Sequence, residues 1–418
     1  MYKRTGLDNG MVVVSEKLPH LRSVALGIWV RSGSRFEGPD EKGISHLLEH
    51  LYFKGTEKRS ARQISEEMDS IGGQLNAFTS KEYSCYYARV LDDHLPQAME
   101  LLSDMLKNST FAEEDIRREV AVVGEEIRLY LDSPDDYIHD MVLRATWGQH
   151  RLADKVLGEW DVLEGLQRES IAAYREQHYT ADDMVIAAAG NLEHSHLLDL
   201  VEQHFGFEGD RGEAPGTEPP SVKAEVLVKE KKDIEQVHIC VGAEGLPLNH
   251  EQIYVLHVLN TILGGGTSSR LFQEIREERG LAYSVYSYSS AYSDAGLLGV
   301  YAGTGKDTAL DVLALIYEEL AKIRADGVSA AEVKRIKEQV KGSLMLSLES
   351  TSNRMARLGK SEVSLNRYRT PEEIIEKIES VTEAEVAEMA AKIFDPTRLS
   401  LAVVGPISDE EIRSSLNS

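Results

Sequence analysis

Cysteine is nearly absent from this chain, whose 418 residues include only Cys85 and Cys240. The two cysteines do not form a C-x-x-C motif, so the sequence suggests neither a disulfide framework nor a cysteine-ligated metal site. Long apolar runs are missing as well. Residues 1–10 lack the apolar core of a signal peptide, and no stretch approaches the length needed to span a membrane. We therefore expect a soluble cytoplasmic protein.

Positive charge is also scarce. The chain has 46 lysines and arginines against 70 aspartates and glutamates, which gives a net charge of −24. Such a surface repels phosphate groups, so we expect neither nucleic acid nor an anionic membrane as a partner. The charge is compatible with attraction of cationic peptides, although an acidic surface that favours solubility is the simpler explanation.

The length and a degenerate internal repeat predict two domains. A chain of 418 residues with 42% hydrophobic content can fill two sizeable cores. Apolar strand-like and helix-like segments recur in both halves, and Gly405 follows Gly190 by 215 positions. The paired segments are 23–30 with 237–242, 95–105 with 309–320, 184–190 with 399–405, and 197–205 with 409–416.

Each half therefore predicts strands, helices, more strands, a helix-rich stretch and a closing strand and helix. This order is typical of an α+β fold, here with two structurally similar repeats, each a mainly antiparallel sheet with helices packed on it. The stretch 206–220 is rich in glycine and proline. We predict an N-terminal metal-binding domain at 1–207, a linker at 208–222 and a homologous C-terminal domain without a metal site at 223–418.

The string His46-x-x-Glu49-His50 carries the most chemical information. If residues 43–53 form a helix, the two histidines lie one turn apart on one face, with Glu49 beside them. Two neutral imidazoles at this spacing can bind Zn²⁺, and the carboxylate can reach a water without being a ligand. The order H-x-x-E-H is the inverzincin signature. The alternative is an exposed helical turn, because a catalytic zinc also needs a third ligand from elsewhere.

Residues 116–127 contain the best candidates for that third ligand. On a helical wheel, Glu119 and Glu126 fall beside an apolar stripe, whereas Glu125 points to the opposite side. The stripe consists of Ile116, Val120, Val123 and Ile127. A carboxylate next to a buried stripe is costly unless it is paired or bound to a metal. The alternative is a helix edge whose carboxylates reach solvent or an arginine.

With this spacing, the chain resembles the pitrilysin/insulinase family of zinc peptidases. The flanking Phe53-Lys54-Gly55-Thr56 and the segment 72–80 are similar to the short-chain branch, which includes the catalytic subunit of mitochondrial processing peptidase and its bacterial relatives. The resemblance runs the whole length of the chain. It implies one Zn²⁺ per chain. The implied roles are metal ligands for His46, His50 and Glu126, general base for Glu49, and a supporting partner behind the ligands for Glu119.

The resemblance also implies a peptide-binding strand. Asn76, Ala77 and Phe78 match family positions that contact the peptide around the scissile bond. They precede a second β-rich run at 83–90, so an edge strand here could take up an extended peptide by strand addition. For Phe78 the alternative is a core aromatic side chain.

Arg276 and Tyr283 match a family pair that hydrogen-bonds the substrate backbone near the scissile carbonyl. By themselves they predict only an exposed helix charge and a strand residue packing on the core. The preceding glycine run at 264–266 superficially resembles a phosphate cradle, but no G-K-[ST] follows, so we do not expect a nucleotide site. His257, in the region that corresponds to the metal helix, is predicted to be structural.

The function implied by this resemblance is a zinc-dependent endopeptidase that hydrolyses extended peptides or presequence-like segments. Family members enclose the peptide in a clamshell chamber of two halves, and this chain supplies one. A homodimer is therefore expected, or else a heterodimer with a homologous chain, with Arg276 and Tyr283 acting on the partner's zinc. The alternative is a non-catalytic scaffold subunit of the same family. A zinc hydrolase for substrates other than peptides is disfavoured by the strand and the Arg–Tyr pair.

Overall fold

The computed structural model describes residues 1–206 and 218–416. Within them the chain forms eleven strands and fifteen α-helices. The strands are β1 Tyr2–Gly6, β2 Val12–Lys17, β3 Ser23–Val30, β4 Gln74–Thr79, β5 Ser84–Leu91, β6 Met184–Gly190, β7 Val226–Glu230, β8 Gln236–Glu244, β9 Ala282–Ala291, β10 Gly296–Gly305 and β11 Ser400–Gly405.

The α-helices cover most of the remaining described chain, and Phe272–Glu278 forms a π-helical segment. The α-helices are α1 Ile44–Leu51, α2 Ala61–Ser70, α3 Leu95–Asn108, α4 Glu113–Asp132, α5 Pro134–Trp147, α6 Trp160–Leu163, α7 Arg168–His178, α8 His194–His204, α9 Ile253–Gly264, α10 Ala309–Asp326, α11 Ala330–Ser347, α12 Thr351–Leu365, α13 Pro371–Ser380, α14 Glu383–Ile393 and α15 Asp409–Leu416. No helix among the described residues is long and apolar enough to cross a lipid bilayer.

The strands form two sheets with the same topology. The first has the order β1-β2-β6-β3-β5-β4 and the second β7-β11-β8-β10-β9. The pairs β2–β6 and β7–β11 are parallel, and the other described pairs are antiparallel. Apart from β1, the sheets match strand for strand. The prediction of two similar, mainly antiparallel α+β repeats is confirmed.

The chain divides into two compact units, each built from three separate segments. The first consists of Met1–Ile127, Asp154–Thr217 and Met345–Arg369, and the second of Arg128–Ala153, Glu218–Leu344 and Thr370–Ser418. The units therefore differ from the continuous domains 1–207 and 223–418 that the sequence predicts. The linker itself stays a prediction, because residues 208–217 lie outside the described residues.

Each sheet is covered on one face by a helix from the other half of the sequence. Helix α12 packs on β2, β3 and β6, and helix α5 packs on β8 and β11. A glycine allows the close approach in both cases. A Cβ on Gly27 would lie 2.4 Å from the sulfur of Met355 in α12, and one on Gly242 would lie 2.7 Å from a methyl group of Val142 in α5. Gly27 and Gly242 are 215 positions apart, which is the repeat offset.

The central strands are apolar along their whole length because both of their faces are buried. All seven residues of β6 are buried, and so are all six of β11. A strand that packs against helices on both sides has no solvent face, so its sequence shows a continuous apolar run rather than alternation. The edge strand β4 differs, because its residues alternate between exposed and half-buried. This edge lies beside α1 in the first unit.

Candidate metal centre

Helix α1 carries the H-x-x-E-H string. Its apolar residues Ile44, Leu47, Leu48 and Leu51 are buried, which anchors the helix in the first unit. His46 and His50 lie on one face, as the helical spacing predicts, with ring centroids 4.8 Å apart. His46 is buried, whereas about a quarter of the His50 side chain (23%) is exposed.

Glu126 of helix α4 completes a group of three possible ligands. One carboxylate oxygen, Oε2, lies 3.8 Å from Nε2 of His46 and 3.7 Å from Nε2 of His50. Ligand atoms bound tetrahedrally to zinc at about 2.0–2.2 Å are roughly 3.4 Å apart. Small side-chain shifts would therefore close the three groups around one ion. Among the described residues this is the one group whose ligand atoms all lie within 4.8 Å of one another.

Two further charged residues, Glu119 and Lys54, lie near His50. Glu119, seven residues before Glu126, is buried, and its Oε2 atom lies 3.1 Å from Nδ1 of His50. Its other oxygen accepts from Nζ of Lys54 at 2.8 Å. A hydrogen bond at Nδ1 places the imidazole proton there and leaves Nε2 as the ligand atom. Glu125 is exposed, as the helical wheel predicts.

Burial shifts the pKa values of His46 and Glu49. It lowers the pKa of His46 to about 4, with the charge of His50 as the smaller cause. His46 is therefore neutral near pH 7, the form that binds a metal. Burial also raises the pKa of the Glu49 carboxyl. The hydrogen bond from Thr79 and the charge of His50 lower this pKa in part, whereas the charge of Glu126 raises it further.

Thr79 is a site residue that sequence reasoning missed. Its hydroxyl donates a hydrogen bond of 2.6 Å to Oε2 of Glu49. The two residues are 30 positions apart, and the threonine is the last residue of β4. The alternation of β4 could have indicated which of its side chains faces α1, but not that one of them reaches Glu49.

Sequence reasoning also missed Glu37. The glycine at the start of α1 could have indicated that another residue must cap this helix. The helix follows Gly43, which has φ +94° and no side chain that could cap the helix. A Cβ on Gly43 would lie 2.9 Å from the backbone of Gly158, so only glycine fits there. The carboxylate of Glu37 supplies the missing cap by accepting from the backbone N–H groups of Gly43 at 2.7 Å and Ser45 at 2.9 Å.

The predicted peptide-contacting residues lie on the sheet edge. Asn76, Ala77 and Phe78 belong to β4, and the Asn76 side chain accepts from the Ala77 N–H at 2.8 Å. Phe78 is 38% exposed, and its ring lies 5.6 Å from that of Trp29. Because side chains alternate along a strand, Phe78 points to the sheet face opposite to Thr79. The binding roles of these three residues stay predictions.

Arg276 and Tyr283 belong to the second unit and lie side by side. The guanidinium carbon of Arg276 is 4.9 Å from the ring centre of Tyr283 and 4.7 Å from that of Phe272. Tyr283 is 79% exposed, so its hydroxyl can reach a ligand. The structure thus joins the two predicted residues, and their role toward a substrate stays a prediction. His257 lies in α9, half-buried.

Known proteins share both the sequence and the fold. The family model "Insulinase (Peptidase family M16)" matches residues 12–159, and "Peptidase M16 inactive domain" matches residues 165–340. The uncharacterized zinc protease YmxG of Bacillus subtilis is 47% identical over 97% of this chain and 98% of its own length. An uncharacterized zinc protease of Streptomyces coelicolor is 42% identical over 98% of this chain and 90% of its own length. The chain therefore belongs to the insulinase family, peptidase family M16.

Solved structures agree on the fold. A protease from Helicobacter pylori superposes with a TM-score of 0.90 at 22% identity, covering 97% of this chain and 99% of that one. A protein described as a peptidase M16 inactive domain from Pseudomonas fluorescens gives a TM-score of 0.91 at 20% identity, with coverages of 97% and 98%. The candidate metal centre lies within the match to the insulinase model, and α9 lies within the match to the inactive-domain model.

Proposed function

We propose that this chain is a zinc-dependent endopeptidase that hydrolyses extended peptides. The observation that carries the proposal is the convergence of His46, His50 and Glu126 around one point, with Glu49 next to them. The zinc-protease names of relatives at 40–47% identity support the same chemistry.

His46, His50 and Glu126 would hold one zinc ion per chain. When bound, the ion would polarise the peptide carbonyl and make a water more acidic. Glu49 takes the proton of the attacking water as the new C–O bond forms, and then gives it to the leaving amine as the C–N bond breaks. Glu119 keeps His50 oriented through the 3.1 Å contact at Nδ1.

The edge strand β4 offers a place for the substrate backbone. Within the described residues β4 pairs with β5 alone, so its outer edge can accept a peptide as an added strand. Asn76, Ala77 and Phe78 would then contact the peptide. Strand addition uses backbone hydrogen bonds and therefore selects extended chains rather than folded ones.

The second unit suggests a role for a second copy. We propose a homodimer that forms a clamshell chamber, in which Arg276 and Tyr283 assist at the partner's site by hydrogen-bonding the substrate backbone. Mixing Glu49→Gln chains with Tyr283→Phe chains tests this arrangement, because a mixed dimer would regain one intact site. Absence of any recovery would count against it. A cytoplasmic location remains part of the proposal.

The first experiment measures zinc content and cleavage of a mixed library of about 10- to 40-residue peptides, a length range that suits extended binding. Wild type and Glu49→Gln are compared after metal-replete purification. We expect zinc near one per chain in both, with cleavage about 100- to 10,000-fold slower in the variant.

The other outcomes separate the alternatives. A Glu49→Gln variant with near-normal turnover would remove Glu49 from the mechanism. Zinc in both proteins without cleavage in either would indicate a missing partner subunit or a narrow substrate range. Failure of both proteins to bind zinc would contradict the proposal and favour a non-catalytic scaffold subunit.

A further inference from the structure

The hydroxyl of Thr79 has one proton, and the structure fixes where it goes. It donates to Oε2 of Glu49 at 2.6 Å, and an ionised carboxylate can only accept. Ser84, the cross-strand neighbour of Thr79, directs its own hydroxyl to the carbonyl oxygen of Ser32 at 2.9 Å. The Ser84 oxygen is 3.4 Å from that of Thr79, which is too far for a strong competing bond.

The backbone that carries Thr79 is held firmly. The residues that follow it, Ser80 and Lys81, accept hydrogen bonds through their carbonyl oxygens from the N–H groups of Ser34 at 3.2 Å and Arg35 at 2.8 Å. On the other side, Thr79 is paired in register with β5. The hydroxyl is therefore a fixed point from which the longer and more flexible side chain of Glu49 can be held.

Glu49 needs such a support because its side chain is flexible. A glutamate side chain rotates about three bonds, and a general base acts efficiently only when it is held in one geometry.

We propose that Thr79 is a positioning residue for the general base: it fixes Oε2 of Glu49 and leaves Oε1 to exchange the proton with the attacking water and the leaving amine. This inference rests on the proposed function, because it requires that Glu49 acts as the base. It assigns the hydroxyl of Thr79 a part in turnover that is separate from any contact of β4 with the peptide.

The test compares four single variants of the full-length, zinc-loaded protein. Thr79→Val removes the hydroxyl at nearly constant volume, and Thr79→Ser restores it. Thr5→Val is the matched control, because Thr5 lies on the opposite edge strand of the same sheet and its hydroxyl contacts His194 at 2.9 Å. Glu49→Gln completes the set. We expect kcat to fall about 10- to 100-fold in Thr79→Val, as for loss of a hydrogen bond to a charged group. In Thr79→Ser and Thr5→Val it should stay within about threefold of wild type, and KM should change little.

Two further measurements distinguish positioning from a structural effect. In a double variant with Glu49→Gln, the Thr79→Val change should cost almost nothing more, because the group it positions is already disabled. Crystal structures of the metal-free proteins should show one Glu49 conformation in wild type and Thr79→Ser, and several in Thr79→Val.

The outcomes separate this inference from the proposed function. If wild type cleaves peptides and Thr79→Val cleaves them equally well, the role of Thr79 is refuted and the peptidase stands. The inference is also refuted if Thr79→Val lowers kcat by the same factor in the Glu49→Gln background. A zinc-loaded wild type that cleaves no peptide refutes the proposed function, and the role of Thr79 with it.

Discussion

The two sheets have the same topology apart from β1, but the helices beside their edge strands carry different side chains. In each unit a helix packs beside the edge strand, α1 beside β4 and α9 beside β9. A strand hydroxyl reaches the helix in both places. In the first unit Thr79 donates to the carboxylate of Glu49, and in the second Ser287 donates to the backbone oxygen of Asn260 at 2.8 Å.

The helices beside the two edge strands differ in the side chains that they carry. Helix α1 buries six of its eight residues and leaves Glu49 and His50 half-buried, whereas α9 buries eight of its twelve and has a single histidine, His257. A Cβ on Gly264 of α9 would lie 2.3 Å from the backbone of Ser287, so helix and strand are in direct backbone contact there. In the second unit the interface between this helix and its strand is a packing contact, whereas in the first the helix carries the candidate metal centre.

Removing one histidine from each helix should give the largest contrast. His46→Ala should lose zinc and lower peptide cleavage by about 10⁴-fold or more, because the ligand set becomes incomplete. His257→Ala, in α9, should retain zinc and cleavage. Metal analysis and initial rates check both variants. A comparable loss of zinc in His257→Ala would mean that the second unit contributes to the metal centre.

The first turns of α1 and α9 should contribute differently to the pH dependence of the free energy of unfolding. Glu37 holds the first turn of α1, and its burial raises the pKa of its carboxyl to about 7, against the opposing effect of the Gly43 and Ser45 hydrogen bonds. Helix α9 begins after Gln252, whose side chain makes no capping hydrogen bond.

The direction of this pH effect on the free energy of unfolding follows from proton binding by Glu37. Between the unfolded pKa of 4.5 and the folded value of about 7, the folded state binds a proton that the unfolded state has released. The contribution of Glu37 to the free energy of unfolding is therefore fully present below pH 4.5 and falls by roughly 3 kcal/mol as the pH rises to 7. Glu37→Gln should remove this dependence. Urea unfolding of the metal-free proteins across this range measures it, and parallel curves for the two proteins would contradict the prediction.

The smallest effect is expected at the second strand hydroxyl. Ser287→Ala removes one hydrogen bond to a helix carbonyl that keeps its place in α9, so it should lower the free energy of unfolding by about 1 kcal/mol. Zinc content and kcat should not change. Urea unfolding and peptide cleavage are the measurements. A fall in kcat like that expected for Thr79→Val would show that the two hydroxyls are not distinguished by what they contact.

The sequence predicted the parts of this comparison that are local. The spacing of His46, Glu49 and His50 depends on one helical turn, and the helical wheel around Glu126 depends on the single helix α4. The repeat was visible in its strands. The contacts of Thr79 and Glu37 join segments that are 30 and 6–8 positions away through tertiary packing. Residue types alone do not fix such contacts.

The sequence could not predict which chain segments belong to each unit, for a different reason. Amphipathic helices such as α5 and α12 show that one side must be buried, but not on which sheet. Continuous domains at 1–207 and 223–418 would place α5 with the first sheet and α12 with the second, whereas α5 packs on the second sheet and α12 on the first.

The packing of α12 on the first sheet has a consequence for folding during synthesis. All the candidate zinc ligands have left the ribosome once Glu126 has, yet the sheet beside them still lacks α12. Trp29 and its apolar neighbours on that sheet face are covered by Met355, Leu358 and Val363. The first sheet therefore has to wait for translation to pass residue 365 before its second face is shielded from water. A nascent chain stalled earlier would expose that apolar surface, and such a surface is prone to aggregation unless a chaperone protects it.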